Sequence, residues 1–161
     1  MSMAVYAGTF DPVTYGHLDV LNRASKIFDT VIIAVAPNEE KRPMFTVEER
    51  MEMIRESCVG NPKILVDTFD GLLVDYAKAR GANVLIRGLR AISDFEYEFQ
   101  MTQMNRELQS EMETIFFMPS QEYTFTSSTI VKQVARYDPG RIANYVPIQV
   151  AAAMKKRFGL C

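Results

Sequence analysis

The segment GTFDPVTYGH, residues 8 to 17, ends on the only histidine of the 161-residue chain. Gly8 lets the backbone approach a ligand closely, and Thr9 offers a hydroxyl and an amide. Gly16 and His17 open a predicted helix, whose first-turn N–H groups and positive dipole end favour a bound phosphate. An imidazole at this place can donate a hydrogen bond to a phosphoryl oxygen. The alternative is a plain turn that ends on a capping or surface histidine.

Three further segments that follow apolar runs carry cations or hydroxyls. Arg87 and Arg90 flank Gly88 in RGLR, where either an anion or nearby acidic side chains would balance their charge. TSST, residues 126–129, opens a predicted helix with more hydroxyls than one N-cap needs, so phosphate binding and ordinary capping both stay open. Lys41 stands in the third segment, KRPMF, where a solvated charge is the simpler interpretation.

Short β-branched runs alternate along the chain with amphipathic segments of helical length, which is typical of parallel α/β units. The runs are apolar on both faces, as buried strands covered by helices are, and lie at residues 3–8, 30–35, 63–68, 83–87 and 114–118. Five strands and about five helices predict an α/β fold: a doubly wound, five-stranded parallel sheet, Rossmann-like, with helices on both faces. Ligands of such sheets bind beyond the carboxyl ends of the strands, where the strand order reverses. The candidate residues all follow predicted strands.

Two predicted helices begin with the spacing of a capping box, Thr46 with Glu49 and Ser93 with Glu96. The second helix, residues 95–108, carries two apolar stripes. Either one stripe packs on the sheet and the other on a second subunit or ligand, or the helix is sunk in its own core.

Composition limits the classes of function. A chain with 48% hydrophobic and 24% charged residues suits one globular domain over residues 1–161. The net charge of −2 offers no general attraction to nucleic acid or to an anionic membrane surface, so neither is an expected partner. Cys58 and Cys161 have no metal-ligand spacing, and the N-terminus and the apolar runs suit neither a signal peptide nor a membrane span. We therefore expect a soluble, cytoplasmic protein without a metal site of its own.

Taken together, these segments resemble the nucleotidylyltransferase superfamily, with its (H/T)xGH motif at residues 14–17 and its hydroxyl-rich helix start at residues 126–129. Within it, GTFDPVTYGH, KRPMF, VLIRGLRAISDFEYEFQMTQMNR and EYTFTSSTIVKQVA are similar to the bacterial phosphopantetheine adenylyltransferases over nearly the whole chain. The resemblance implies transfer of AMP from ATP to 4′-phosphopantetheine, which gives dephospho-CoA and pyrophosphate in the penultimate step of coenzyme A synthesis. It also implies the use of Mg²⁺ and a homohexamer.

The resemblance further implies roles for individual residues. The catalytic residues would be His17, Lys41 and Arg90. The acceptor would be held by Thr9, Lys41, Leu73, Arg87 and Asn105. ATP would contact Thr9, Phe10, His17, Gly88, Leu89, Arg90, Glu98, Tyr123, Thr124, Phe125, Thr126, Ser127, Ser128 and Thr129.

The implied chemistry suits these residue types. A phosphate monoester has a second pKa of about 6, so as a nucleophile it is mostly dianionic at pH 7 and needs no general base. The protein has to hold two anions together and stabilise charge around the α-phosphorus, which positioned donors and cations do. Mg²⁺ would be held mainly by phosphates and water.

Two alternative functions remain. The first is a cytidylyltransferase or a pyridine-mononucleotide adenylyltransferase on the same fold. The second is a nucleotide-binding regulatory or scaffold module without turnover.

Overall fold

A computed structural model gives the structure of residues 2–37, 42–90 and 92–159. These ranges contain, in chain order, β1 Met3–Gly8, α1 Tyr15–Ile27, β2 Thr30–Val35, α2 Val47–Ser57, β3 Ile64–Thr68, α3 Leu73–Ala79, β4 Val84–Gly88, α4 Ile92–Leu108, β5 Glu113–Phe117, α5 Ser128–Tyr137 and α6 Ile148–Arg157. Short 3₁₀ helices lie at Gln121–Tyr123 and Pro139–Ile142. Each predicted strand is confirmed to within one residue at either end. None of the helices in the described ranges is both long and apolar enough to cross a membrane.

The five strands form one parallel sheet in the order β3-β2-β1-β4-β5. The order reverses at the pair β1 and β4, in which Tyr6 lies opposite Ile86. The predicted five-stranded, Rossmann-like parallel sheet is therefore confirmed. The carboxyl ends of β1 and β4, at Gly8 and Gly88, mark the switch point where ligands of such sheets bind.

Apolar side chains on both faces of the sheet hold the helices in place. Ala4 and Tyr6 of β1 belong to a buried cluster that includes residues of α1, α2, α5 and α6. Val5 and Ala7 point the other way and pack with α3. Every residue of β2 is buried, as expected of a strand covered on both sides. Helices therefore cover both faces, as the doubly apolar runs predict.

The two predicted capping boxes have different outcomes. Thr46 caps α2: its hydroxyl accepts from the Glu49 N–H at 3.2 Å, and the Glu49 carboxylate accepts from the Thr46 N–H at 2.8 Å. This box is confirmed. The box of Ser93 with Glu96 is wrong, because α4 begins at Ile92 and Ser93 is already helical.

The α4 helix exposes both of its apolar stripes. Between 40% and 61% of each of these residues is accessible: Phe95, Tyr97, Phe99, Met101, Met104 and Leu108. The interpretation of a helix sunk in its own core is therefore wrong, and so is the expectation that one of the two stripes is covered by the sheet. An apolar surface of this kind is typical of a region that contacts a ligand or another protein.

Candidate active site

A cavity of about 500 Å³ opens at the switch point of the sheet. Its walls come from the β1–α1 loop, the segments after β4 and β5, and the first turn of α5. The predicted site residues that line it are Thr9, Phe10, His17, Arg87, Gly88, Arg90, Glu98, Tyr123, Thr126, Ser127, Ser128 and Thr129. The predicted residues outside this lining are Leu73, Leu89, Asn105, Thr124 and Phe125. Lys41 lies outside the described residues.

His17 is the third residue of α1 and caps the helix together with Thr14. The Thr14 N–H donates to Nδ1 of the imidazole at 3.1 Å, and the Thr14 hydroxyl accepts from the His17 N–H at 3.4 Å. Because Nδ1 accepts, the proton of the neutral ring is on Nε2. Nε2 has no hydrogen bond to another described residue, and His17 lines the cavity. The capping role is therefore confirmed, and it leaves one N–H donor for a ligand.

Burial of the ring and the positive charge of Arg90 lower the pKa of His17 to about 4. The imidazole is thus neutral at pH 7 and acts as a hydrogen-bond donor and not as a cation. In the unfolded chain a histidine has a pKa of about 6.5. As the pH falls from about 6.5 to about 4, the unfolded state takes up a proton that the folded state does not, so this group lowers the stability of the fold over that window.

Because His17 is the only histidine, its titration can be followed directly by NMR. We expect the Cε1–H resonance of the folded protein to titrate with a midpoint near 4. At pH 7 the nitrogen shifts should show an unprotonated Nδ1 and a protonated Nε2. A midpoint near the ordinary value of about 6.5 would contradict the neutral donor.

An aromatic contact supports the ring of His17. Phe10 meets His17 edge-on with 5.1 Å between ring centroids, and it also meets Tyr6 at 5.3 Å. Phe10 is only 3% exposed, and its backbone is left-handed with φ 47°. A Cβ on Gly8 would lie 3.0 Å from Cζ of Phe10. This is tighter than an ordinary contact, so the packing of Phe10 favours a glycine at residue 8, whether or not a ligand also approaches there.

Arg87 is held in a fixed orientation by Glu98. Its Nε and Nη2 donate to the two carboxylate oxygens at 2.9 and 2.7 Å, and its Nη1 donates to the carbonyl of Ala7 at 3.1 Å. Burial would lower the pKa of Arg87, and the hydrogen bonds and charge of Glu98 turn this into a net rise. The internal ion pair considered for Arg87 is confirmed. Both oxygens of Glu98, a residue 8% exposed, are engaged in orienting this guanidinium.

Arg90 is the most loosely paired of the described cations that line the cavity. Its Nε lies 3.8 Å from Oδ2 of Asp94, beyond hydrogen-bond distance, and 45% of its side chain is exposed. Lys132, in contrast, donates to the buried Asp11 at 2.7 Å. Arg90 can therefore meet an incoming anion without giving up a strong hydrogen bond.

The hydroxyls at the start of α5 divide into two groups. Ser127 caps the helix by accepting from the Ile130 N–H at 3.1 Å, and Ser128 donates to a carbonyl of the β1–α1 loop at 2.8 Å. The hydroxyls of Thr126 and Thr129 have no hydrogen bond to another described residue, and both residues line the cavity. Capping therefore accounts for one hydroxyl of the four, and two remain for a ligand.

Asp11 is a site residue that the sequence analysis does not single out. This carboxylate is 3% exposed and accepts from the N–H groups of Met44 and Phe45, at 2.9 and 3.0 Å, and from Lys132. It ties the β1–α1 loop to the segment before α2 and to α5. The partners lie 33 to 121 residues away along the chain, so no local pattern signals the contact.

Arg50 of α2 is the second residue that the sequence analysis does not single out. It is 1% exposed, and its guanidinium donates, at 2.7 to 3.2 Å, to the main-chain carbonyls of Thr9, Ala36, Pro37, Phe45 and Thr46. Burial lowers the pKa of Arg50, while the charges of Asp11 and Glu48 act in the opposite direction. The guanidinium connects the segments after β1 and β2 to the start of α2.

The acidic side chains of the cavity are engaged by cations. Asp11, Asp94 and Glu98 each have a lysine or arginine partner. Within the described residues, no group of three or more His, Cys, Asp and Glu side chains is arranged to hold a metal ion.

Comparisons with known proteins point to one family. A sequence model of the cytidylyltransferase-like family matches residues 5–134, which include the cavity residues from β1 to the first turns of α5. Among solved structures, the chain is similar to a protein described as a nicotinate-nucleotide adenylyltransferase from Vibrio parahaemolyticus, with 16% sequence identity, a TM-score of 0.71 and coverage of 99% of this chain and 95% of that chain. It is also similar to a lipopolysaccharide core biosynthesis protein from Thermoplasma volcanium GSS1, with 18% identity, a TM-score of 0.55 and coverage of 74% and 97%. At these identities, the structural likeness establishes a shared fold.

Proposed function

The chain belongs to the cytidylyltransferase-like family, and on that basis we propose that it transfers the adenylyl group of ATP to 4′-phosphopantetheine. The observation that supports binding of a nucleotide is that His17, Arg90 and the hydroxyl-bearing residues Thr126 and Thr129 all line one cavity. The choice of acceptor depends on the RGLR and DFEYE segments, which are similar to those of the phosphopantetheine adenylyltransferases.

In the proposed reaction, a phosphate oxygen of the acceptor attacks the α-phosphorus of ATP. A new P–O bond forms, the bond from the α-phosphorus to the bridging oxygen breaks, and pyrophosphate leaves with the electron pair. A dianionic phosphate has no proton to lose, so the step needs no general base and no covalent enzyme intermediate. Charge builds on the oxygens around the α-phosphorus, and donors aimed at them lower the barrier.

On the nucleotide side, His17 donates from Nε2 to a phosphoryl oxygen, and Arg90 meets the triphosphate. The loose pairing of Arg90 with Asp94 supports this role, because little is lost when the guanidinium turns to an anion. The hydroxyls of Thr126 and Thr129 supply further donors. If Mg²⁺ is bound to the triphosphate, it would screen the negative charge there.

On the acceptor side, Arg87 and Lys41 hold the phosphate of the acceptor. The Glu98 carboxylate supports this role for Arg87, because it fixes the guanidinium plane before the substrate arrives. Leu73 and Asn105 flank the pantetheine arm. They lie on α3 and α4 rather than in the lining of the cavity, as expected if the arm extends out of it.

The same resemblance leads us to propose a homohexamer. The exposed apolar stripes of α4 support association between copies, because a large apolar surface is stabilised when it is removed from water.

A pyrophosphate assay tests the proposed reaction. The protein with ATP, Mg²⁺ and 4′-phosphopantetheine should release pyrophosphate and dephospho-CoA in equal amounts. CTP in place of ATP tests the nucleotide, and nicotinate mononucleotide tests the acceptor suggested by the Vibrio structure; we expect neither to support turnover. Activity with the mononucleotide and none with phosphopantetheine would reassign the acceptor. ATP binding without turnover of any acceptor would favour a regulatory module.

A further inference from the structure

The Tyr6 hydroxyl is a polar group of the cavity that the proposed reaction does not use. Tyr6 stands two residues before the end of β1, is 5% exposed and lines the cavity. Its ring is fixed by the edge-on contact with Phe10, which in turn contacts His17. No hydrogen bond joins its hydroxyl to another residue in the described part of the chain. The oxygen is not among the fully buried unpaired polar atoms of the described residues, so it is accessible from the cavity and can form a hydrogen bond with solvent or with a bound ligand.

Gly88 keeps the hydroxyl open to a ligand. A Cβ on Gly88 would lie 3.7 Å from the Tyr6 oxygen and 3.9 Å from Cγ2 of Val20. Both are ordinary contact distances, so a methyl group would fit there and cover the hydroxyl. The missing side chain leaves that space to a bound molecule at the end of β4.

The hydroxyl is a donor that interacts with two guanidinium groups, of which Arg87 is paired with Glu98 and Arg90 is only loosely paired with Asp94. Burial raises the pKa of Tyr6 well above its usual value, and the charges of Arg87 and Arg90 offset only part of the rise, so the proton stays on the oxygen at physiological pH. A phenol O–H close to two guanidinium groups is complementary to an anionic oxygen. Solvent can satisfy the hydroxyl before a ligand arrives, but a ligand that displaces the solvent has to replace the hydrogen bond.

We propose that the Tyr6 hydroxyl donates a hydrogen bond to a phosphate oxygen of the bound nucleotide, which makes Tyr6 a nucleotide-binding residue. This inference rests on the proposed function for the choice of the nucleotide over the acceptor, because Gly88 and Arg90 are on the ATP side in that proposal. The ring of Tyr6 has a separate, structural role, because it packs against Phe10, which in turn packs against His17.

Tyr6→Phe removes the hydroxyl and keeps the ring. We expect a Tm close to that of the parent protein and a dissociation constant for MgATP, measured by calorimetry, that is at least about tenfold higher, as on loss of a hydrogen bond to a charged group. The affinity for 4′-phosphopantetheine should not change. A ³¹P resonance of bound MgATP should shift, which a purely structural role of the hydroxyl would not cause.

Tyr76→Phe is the matched control, because the Tyr76 hydroxyl donates to Asp67 at 2.6 Å and Tyr76 does not line the cavity. It should leave MgATP affinity unchanged. Gly88→Ala is a second variant: its methyl group covers the Tyr6 hydroxyl at contact distance and should weaken MgATP binding as well. Unchanged MgATP affinity in Tyr6→Phe, a loss confined to phosphopantetheine, or a loss without any ³¹P shift would overturn the inference. MgATP affinity is measured without turnover, so this result is separate from the pyrophosphate assay.

Discussion

His17→Ala should lower kcat by about a hundredfold or more while the fold is retained, as when one donor to a developing oxyanion is removed. The imidazole is neutral, and its Nε2–H has no hydrogen-bond partner among the described residues, because the N–H of Thr14 occupies Nδ1. A hydrogen bond of this kind strengthens as charge builds in the transition state, so the KM for ATP should change much less than kcat. Steady-state pyrophosphate release measures both constants.

His17→Asn separates catalysis from capping. The asparagine Oδ1 can accept from the Thr14 N–H in place of Nδ1, but asparagine has no group at the position of Nε2. We expect a kcat as low as that of His17→Ala and a higher Tm than His17→Ala. If His17→Asn kept the parental kcat, His17 would be a helix cap and nothing more.

Arg50→Met should lower the free energy of unfolding by about 3 kcal/mol or more, because it leaves several buried carbonyls without their donor. The carbonyls of Thr9, Ala36 and Pro37 all accept from this one guanidinium. Methionine keeps much of the apolar stem, so the loss reports on the hydrogen bonds more than on packing. Equilibrium denaturation in urea, followed by circular dichroism, measures the change.

Arg55→Met is the control on the same helix. The Arg55 side chain is 48% exposed and pairs with Glu52 at 3.1 Å, so its removal should cost less than about 1 kcal/mol. Arg50→Lys should fall between the two, because an ammonium group cannot reach all the carbonyls that the planar guanidinium does. Equal losses at residues 50 and 55 would mean that the buried guanidinium does not hold the loops together.

The sheet could be predicted from sequence because its signal is local. A run such as TVIIAV is apolar on both faces, and β2 is buried at each residue, as a central parallel strand is. The positions after the strands then predict the site, since carboxyl ends of parallel strands meet at one edge. His17, Arg87 and Arg90 indeed line one cavity.

Contacts between distant segments could not be predicted in the same way. Arg50 stands in EERMEMIRES one turn before Met53 and Ile54, so helical periodicity places it on the buried face of α2, where it is 1% exposed. The sequence does not show which main-chain carbonyls accept from its guanidinium there. Asp11 is paired with residues more than thirty positions away. The capping-box spacing of Ser93 with Glu96 occurs inside α4, so this spacing by itself does not determine where a helix begins. Long-range partners decide the role of a charged side chain, and a single sequence does not contain them.

Gly8 and Phe10 should behave as one unit when the sequence varies. A side chain at residue 8 would press on the Phe10 ring, which would have to shift by a few tenths of an ångström against Tyr6 and His17. A change at residue 8 would thus disturb the contact between Phe10 and the imidazole without touching His17, and we expect a smaller residue at 10 to relieve it. The effects of mutations at residues 8 and 10 should therefore be non-additive, because the packing of the Phe10 ring couples them. We expect the coupling to appear as a lower kcat.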